Sequence, residues 1–305
     1  MELTHPYFAI LLSKNRIELL FLFIYCIITI YLLQRRKLLG ASAVAILILF
    51  ALLTLRNFPS IDLSKPKIYT SSCHTRGDRV DVNCVFGDIN SGIDILLTGD
   101  SHAAQYFPVL EQIAINDHYK LTSWTKSSCP FLKPDYKRNF GDKSCQKWQE
   151  SVWKSLVSEH PRLVVISNLS NDVKYVSDRA GSARVFNKRT VAAVKELRSI
   201  GISVLYIEDF PKPPVNVVTC LRIEGLFYEP QRCNFPVELT SNTLNLSKDL
   251  RIDNFSIMKS KNVLCPQTCL ATINKRNVFR DDSHLSIYGA LLLYHQMNSR
   301  LRYLI

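Results

Sequence analysis

The sequence lacks the patterns that mark nucleic-acid-binding proteins and zinc proteins. Its 38 Lys and Arg exceed its 26 Asp and Glu, but they form no dense run and no stripe interleaved with aromatic residues. No nucleic-acid partner is therefore expected. The nine cysteines include no C-x-x-C pair, and no histidine lies at ligand spacing from Cys265 and Cys269. Zinc is therefore disfavoured, and neither a metal nor another cofactor is expected. No internal repeat or low-complexity segment is present.

Two long apolar runs lie near the N-terminus, after a short segment, 1–16. Residues 17–33 carry one charge and residues 38–55 carry none, and each run approaches the roughly 20 residues that span a bilayer. The basic loop between them, 34–37, is expected to be cytoplasmic, with both ends of the hairpin outside. We predict a two-helix transmembrane hairpin over 17–55. A signal peptide and a buried helical hairpin are the alternatives.

The cysteines are distributed in agreement with this topology. Cys26 lies in the first apolar run, and the other eight cysteines follow the second run. An even number on the predicted outer side indicates disulfides and an oxidising compartment. Many connectivities are possible, but the eight positions form local pairs, and we favour pairing between neighbours. These pairs are Cys73–Cys84, Cys129–Cys145, Cys220–Cys233 and Cys265–Cys269.

The remainder of the chain has the pattern of an α/β domain. Residues 56–92 are interpreted as a membrane-proximal linker and residues 93–305 as the globular domain. Short apolar runs suited to buried parallel strands alternate with segments of helical spacing. The predicted strands are 93–98, 120–124, 162–167 and 202–207, and the predicted helices are 102–115, 145–158 and 186–199. Such alternation predicts a three-layer α/β/α domain with a mainly parallel sheet, whose ligands bind at the carboxyl ends of the strands.

The segment Gly99-Asp100-Ser101-His102 follows the first predicted strand. Glycine permits a tight turn, and a serine there would project its hydroxyl beside a helix N-terminus. A serine hydroxyl is a poor nucleophile unless a base, held by an orienting group, removes its proton. The alternative role for Ser101 is a helix N-cap.

A second motif, Asp281-Asp282-Ser283-His284, precedes the apolar segment IYGALLLYHQM. A carboxylate three residues before a histidine can hold one imidazole nitrogen while the other faces a partner. The alternative is a capped helix with an exposed histidine.

Together the two motifs resemble those of the SGNH, or GDSL-like, hydrolase superfamily. The sequence is more closely similar to the SGNH domain fused to acyltransferase-3 membrane proteins, which O-acetylate bacterial surface polysaccharides. TGDSHAAQYFPVL, SSCPFL, the paired cysteines and DDSHLSIYGA carry this resemblance over roughly residues 70–305. It implies a nucleophile at Ser101, a base at His284 and an orienting carboxylate at Asp281, with Asp282 as the less favoured carboxylate.

The oxyanion site departs from the superfamily pattern. The superfamily uses backbone N–H groups near the serine, a glycine after the second strand and an asparagine in a G-x-N-D block after the third. Here no glycine follows the second strand, and Leu169 stands where the block has glycine. Asn171 has the N-D spacing and ranks first, whereas Asn168 lies nearer the strand. Either could instead be an Asx-turn residue.

The resemblance implies an O-acyltransferase, with acetyl as the expected group, that modifies cell-surface polysaccharide through an acyl-serine. A bacterial cytoplasmic-membrane location is expected, with the SGNH-like domain on the periplasmic or outer side. The family's membrane part has many more spans than two. A separate acyltransferase-3 type membrane protein is therefore expected to supply the acyl group, unless the sequence belongs to a longer gene. A membrane-anchored esterase or deacetylase and a silent glycan-binding domain are the alternatives.

Overall fold

The computed structural model describes residues 59–80, 84–134, 143–169, 179–225, 229–237 and 253–305. The short segment 1–16 and the predicted transmembrane hairpin over 17–55 lie outside the described residues. Within the described ranges, no helix has the length and apolar character needed to cross a bilayer.

The centre of the domain is a parallel sheet, as the strand and helix alternation predicts. Five parallel strands lie in the order β4-β3-β5-β6-β8, so the first of them, β3, lies between the second and the third. The chain therefore reverses its direction across the sheet between β3 and β5, where α/β proteins bind their ligands. The strands are β3 (Asp94–Gly99), β4 (Lys120–Lys126), β5 (Leu163–Ser167), β6 (Ser203–Glu208) and β8 (Phe255–Lys259).

The domain begins earlier in the chain than predicted. Two short strands, β1 (His74–Thr75) and β2 (Val85–Gly87), pair with the outer side of β4, β1 in parallel and β2 antiparallel. The interpretation of 56–92 as a linker is therefore wrong for much of this segment. Its polar, turn-rich composition hid two strands that are too short to show a periodic pattern.

Helices cover both faces of the sheet. Alternate strand residues belong to two separate hydrophobic cores, one packed against α1, α2, α5 and α8, the other against α3 and α4. This arrangement is the predicted three-layer α/β/α architecture. The helices are α1 (Ser101–Ala104), α2 (Phe107–Asn116), α3 (Lys143–Glu159), α4 (Arg179–Ser199), α5 (Val217–Gly225), α6 (Lys261–Leu264), α7 (Ile287–Leu291) and α8 (Tyr294–Leu304).

The predicted helix over 102–115 is divided into α1 and α2. Pro108 lies in the first turn of α2. Proline has no N–H to donate to the preceding turn, but it is well tolerated at the start of a helix. The helix therefore stops after Ala104 and begins again at Phe107.

Two small antiparallel strand pairs and four disulfides complete the described part. The antiparallel pairs are β7 (Phe235–Pro236) with β9 (Thr268–Cys269), and β10 (Thr272–Ile273) with β11 (Arg276–Asn277). The disulfides join the neighbouring cysteines that the sequence spacing favours, Cys73–Cys84, Cys129–Cys145, Cys220–Cys233 and Cys265–Cys269.

Candidate functional site

Ser101 lies at the carboxyl end of β3, directly after a turn that requires glycine. Gly99 has a φ of 138°, and a Cβ there would lie 1.8 Å from the carbonyl oxygen of Ser167 on β5. The N-cap of α1 is Asp100, whose Oδ1 accepts the His102 N–H at 2.8 Å. The N-cap role considered for Ser101 therefore belongs to Asp100, and the Ser101 hydroxyl is not used as the cap.

Asp100 also ties the turn to the neighbouring strand. Its Oδ2 accepts the N–H of Leu169, just beyond β5, at 2.9 Å, and the residue is 3% exposed. Burial raises the pKa of this carboxyl group, against the opposing effects of His102 and the two N–H donors. Asp100 thus fixes the start of α1 against β5 and holds Ser101 at the sheet edge.

The structure brings Ser101, His284 and Asp281 together. Nε2 of His284 lies 2.9 Å from Oγ of Ser101. On the other side of the ring, Nδ1 of His284 lies 3.0 Å from Oδ2 of Asp281. The three side chains form a continuous hydrogen-bonded chain from carboxylate to imidazole to hydroxyl. This is the geometry that a serine nucleophile needs for activation by an oriented base.

The turn that carries Asp281 and His284 is fastened at its base. An antiparallel bridge pairs Phe279 with Leu285, and the His284 carbonyl accepts the Arg280 N–H at 3.0 Å. The Leu285 N–H donates to the buried Oε1 of Gln105 at 2.8 Å. Gln105 follows α1 directly, so the same hydrogen bond links the turn to the helix that begins with Ser101.

Asp281 is held in its charged form. Burial raises the pKa of its carboxyl group, but the hydrogen bond and charge of His284 and two backbone N–H donors outweigh burial and hold the pKa well below its usual range. The backbone donors are Ser283 at 2.8 Å and His284 at 2.6 Å. The buried Arg280 side chain adds a longer contact from Nε to Oδ2 at 3.4 Å. Asp282, by contrast, is exposed, so the structure favours Asp281 as the orienting carboxylate.

A second histidine lies beside the first. The rings of His102 and His284 are 4.9 Å apart between centroids. Nδ1 of His102 lies 2.7 Å from Oδ1 of Asp209, and Nε2 lies 3.1 Å from Oγ of Ser283. The sequence interpretation missed both His102 and Asp209 as site residues. The available signal was position, because Asp209 follows β6 at the same edge of the sheet that carries Ser101.

Of the two predicted oxyanion asparagines, only one is described. Asn168 is fully buried, and its Oδ1 accepts the Phe131 N–H at 2.8 Å while its Nδ2 donates to the Phe131 carbonyl at 3.2 Å. Its position does not support contact with substrate, and it fixes the loop after β4 instead. Asn171 lies outside the described residues, so its role stays a prediction.

Within the part of the chain that the structure describes, no three His, Cys, Asp or Glu side chains are grouped as metal ligands would be.

A family model for the SGNH domain that is fused to AT3 domains matches residues 72–299. The chain belongs to this family. The matched region starts ahead of β1, in agreement with a domain that includes β1 and β2. A comparison with curated protein sequences finds no significant match.

Several solved structures are similar to this SGNH domain. The periplasmic domain of a lipopolysaccharide acetyltransferase from Salmonella ser. Paratyphi A has a TM-score of 0.56 at 17% identity, covering 70% of this chain and 85% of that chain. A putative acylhydrolase from Bacteroides fragilis has a TM-score of 0.41 at 12% identity, covering 72% and 91%. An acetylxylan esterase mutant from Geobacillus stearothermophilus has a TM-score of 0.40 at 13% identity, covering 71% and 97%.

Proposed function

We propose that this protein is a membrane-anchored O-acyltransferase that transfers an acyl group, acetyl in the first instance, to cell-surface polysaccharide through an acyl-Ser101 intermediate. The observation that carries the proposal is the hydrogen-bonded chain from Asp281 through His284 to Ser101 at the carboxyl edge of the sheet. The relation to SGNH domains fused to AT3 domains, and the fold shared with the periplasmic domain of a lipopolysaccharide acetyltransferase, support acyl transfer to a glycan.

The first half-reaction follows from the positions of the three side chains. Oγ of Ser101 attacks the carbonyl carbon of an ester or thioester donor while Nε2 of His284 takes the hydroxyl proton. The bond from Oγ to carbon forms, the bond from carbon to the leaving group breaks, and His284 returns its proton to the leaving group. Asp281, held charged, stabilises the imidazolium and keeps Nδ1 directed away from the serine.

The oxyanion is assigned first to the backbone N–H of Ser101. Ser101 is the first residue of α1, and the N–H groups of a first helical turn have no acceptor within the helix. One such donor is typically worth a hundredfold or more in rate. Any second donor would have to come from elsewhere in the site, since the side-chain amide of Asn168 is hydrogen-bonded to the Phe131 backbone.

The second half-reaction determines the class of enzyme. His284 takes the proton of an acceptor hydroxyl, whose oxygen attacks the acyl carbon and releases Ser101, and His284 then reprotonates Oγ. A sugar hydroxyl as acceptor makes the enzyme a transferase, and water makes it an esterase. We propose the sugar because the family is fused to AT3 domains.

The acyl donor is proposed to come from a separate acyltransferase-3 type membrane protein. The predicted membrane hairpin over 17–55 would anchor the SGNH domain on the periplasmic or outer side of the cytoplasmic membrane. The four disulfides fit an oxidising compartment. A reporter that is active only outside the cytoplasm should be active when it is fused after Ile305. Activity of a cytoplasm-only reporter at the same position would contradict the topology.

The decisive experiment follows the fate of the acyl group. The full chain in detergent is given an activated acetyl ester with and without an oligosaccharide acceptor, and acetylated sugar and free acetate are quantified. We expect acetylated sugar from the parent protein and none from Ser101→Ala. Acetate alone, at an equal rate with and without the acceptor, would identify an esterase. A folded protein with neither product and no acyl group on Ser101 would identify a silent domain.

A further inference from the structure

Two Ser-His dipeptides meet at the site, and each histidine is paired with the serine of the other dipeptide. His284 lies against Ser101 at 2.9 Å, and His102, the residue after Ser101, lies against Ser283, the residue before His284, at 3.1 Å. The residues that these two contacts join are 181 and 183 positions apart in sequence, respectively for His102–Ser283 and Ser101–His284. We infer that His102 is a positioning residue that, with Asp209, holds Ser283 and thereby keeps His284 aligned with Ser101. This inference rests on the proposed function, because the alignment matters for the transfer reaction.

The His102 side chain is built into the domain more firmly than His284. It is 4% exposed and its partner Asp209 is 2% exposed, whereas the His284 side chain is 19% exposed. Asp209 Oδ1 also accepts the Phe210 N–H at 3.1 Å. His102 is therefore anchored to the ends of both β3 and β6, and it offers a fixed point to the more exposed turn.

The protonation state of His102 determines which atom donates the hydrogen bond between its Nε2 and Oγ of Ser283. Burial lowers the pKa of His102, but the charge and hydrogen bond of Asp209, together with the charges of Asp100 and Asp281, outweigh burial and raise it. In the protonated form, which this shift favours, both ring nitrogens donate, one to Asp209 and the other to Oγ of Ser283. In that form Ser283 is an acceptor next to a group that cannot take its proton. This argues against a second nucleophile at Ser283, although the Asp209–His102–Ser283 chain has the same residue types as the first.

Ser283 transmits this contact to the reacting groups through one carboxylate. Its own N–H donates to Oδ1 of Asp281 at 2.8 Å, and that carboxylate group holds His284. Loss of the Ser283 side-chain contact would remove one fastening at the tip of the turn and leave those at its base, the Phe279–Leu285 bridge and the hydrogen bond to Gln105. Small displacements of a base relative to its nucleophile are costly in rate.

The test is a double-mutant cycle on the full chain in detergent. Ser283→Ala, His102→Ala and the double variant are compared with the parent in turnover of an activated acetyl ester. We expect each single variant to lower kcat roughly tenfold, the effect of losing one hydrogen bond to a charged group, with KM within about twofold of the parent. The double variant should be no slower than His102→Ala, because the two groups act as one contact. Ser283→Thr, which keeps the hydroxyl, should restore most of the rate, and Asp282→Ala on the same turn is the matched control.

A second measurement does not depend on turnover. In a Ser101→Ala background, hydrogen exchange of the His284 and Leu285 amides should accelerate in Ser283→Ala and in His102→Ala but not in Asp282→Ala. Unchanged exchange would overturn the positioning role even in an active enzyme. Additive losses of kcat, a raised KM with unchanged kcat, or an acetyl group mapped to Ser283 would overturn it as well. Absence of turnover in the parent would instead refute the proposed function and leave the exchange result to decide the inference.

Discussion

Gly99 on β3 and Ser167 on β5 approach so closely that a Cβ at position 99 would lie 1.8 Å from the Ser167 carbonyl oxygen. The same Cβ would lie 2.9 Å from the Cβ of Ala103, so it would be confined from two sides. The turn that presents Ser101 is therefore possible only because residue 99 has no side chain.

The first prediction is that Gly99→Ala destabilises the domain by more than about 4 kcal/mol, beyond the range of ordinary substitutions. The residue would combine a positive φ with a collision against backbone, which cannot move without breaking the sheet. Gly77→Ala is the control, because Gly77 also has a positive φ, 56°, but a Cβ at position 77 would meet no atom within 4 Å. It should cost about 1 kcal/mol. Urea unfolding measures both, and equal losses would contradict the steric argument.

The second prediction concerns the roles of the three aligned side chains. Ser101→Ala should abolish acyl-enzyme formation, and Asp281→Asn should lower kcat strongly because an amide neither orients nor stabilises the charged imidazole in the same way. Asp282→Asn should be milder, since Asp282 is exposed. Burst kinetics with an activated acetyl ester give the comparison. Full activity in Ser101→Ala would refute the proposal that Ser101 is the nucleophile of an acyl-transfer enzyme.

The third prediction is a pH dependence of stability due to His102. A raised pKa in the folded state means that folding favours the protonated imidazole. Its stabilising contribution is complete below the unfolded value of about 6.5 and is lost as the pH rises through the folded value. The acceptor groups that face His102 are Asp209, Asp100, Asp281 and Ser283, and His284 is its ring neighbour.

We therefore expect the free energy of unfolding to fall, as the pH rises above about 6.5, more steeply in the parent than in His102→Gln. His118→Gln is the control, because the His118 side chain is 81% exposed. Parallel pH profiles for the parent and His102→Gln would show that His102 does not carry this charge.

The fourth prediction separates a structural from a catalytic role for Asn168. Asn168→Ala would leave the buried N–H and carbonyl of Phe131 without their partner, at a cost of about 2 to 4 kcal/mol. Asn116→Ala removes an exposed amide that donates to the Tyr294 hydroxyl and should cost far less. Urea unfolding and ester turnover are measured together. A hundredfold loss of kcat with unchanged stability would restore Asn168 to the oxyanion site.

The central strands were predictable from sequence because they are apolar throughout. The predicted strands 93–98, 120–124, 162–167 and 202–207 agree within two residues with β3 to β6. Buried parallel strands need apolar side chains on both faces, and helices must separate them. The two motifs could likewise be recognised from sequence because each lies at a strand end or at the start of a helix, where a polar residue is typical of a cap or a functional site.

Three features depend on tertiary contacts and gave no comparable signal. The strand β8 was missed because alternate residues are only half-buried, so its run is less apolar than those of the central strands. The contact between His102 and Asp209 joins residues 107 positions apart, which no local pattern encodes. Asn168 was a second-ranked oxyanion candidate, with an Asx turn as the alternative, because the sequence contains no sign that the Phe131 backbone would bond both polar atoms of its amide.

The short strands on the outer side of β4 have a consequence for how molecules of this protein associate. β1 and β2 are two and three residues long, and the Cys73–Cys84 disulfide joins the segments that carry them. An uncovered edge strand offers its backbone groups to the next chain, which is a common beginning of aggregation. So few ladder hydrogen bonds hold a segment weakly, and the covalent link keeps it in place. Reduction of the Cys73–Cys84 disulfide should therefore expose the outer edge of β4 and increase aggregation of the protein.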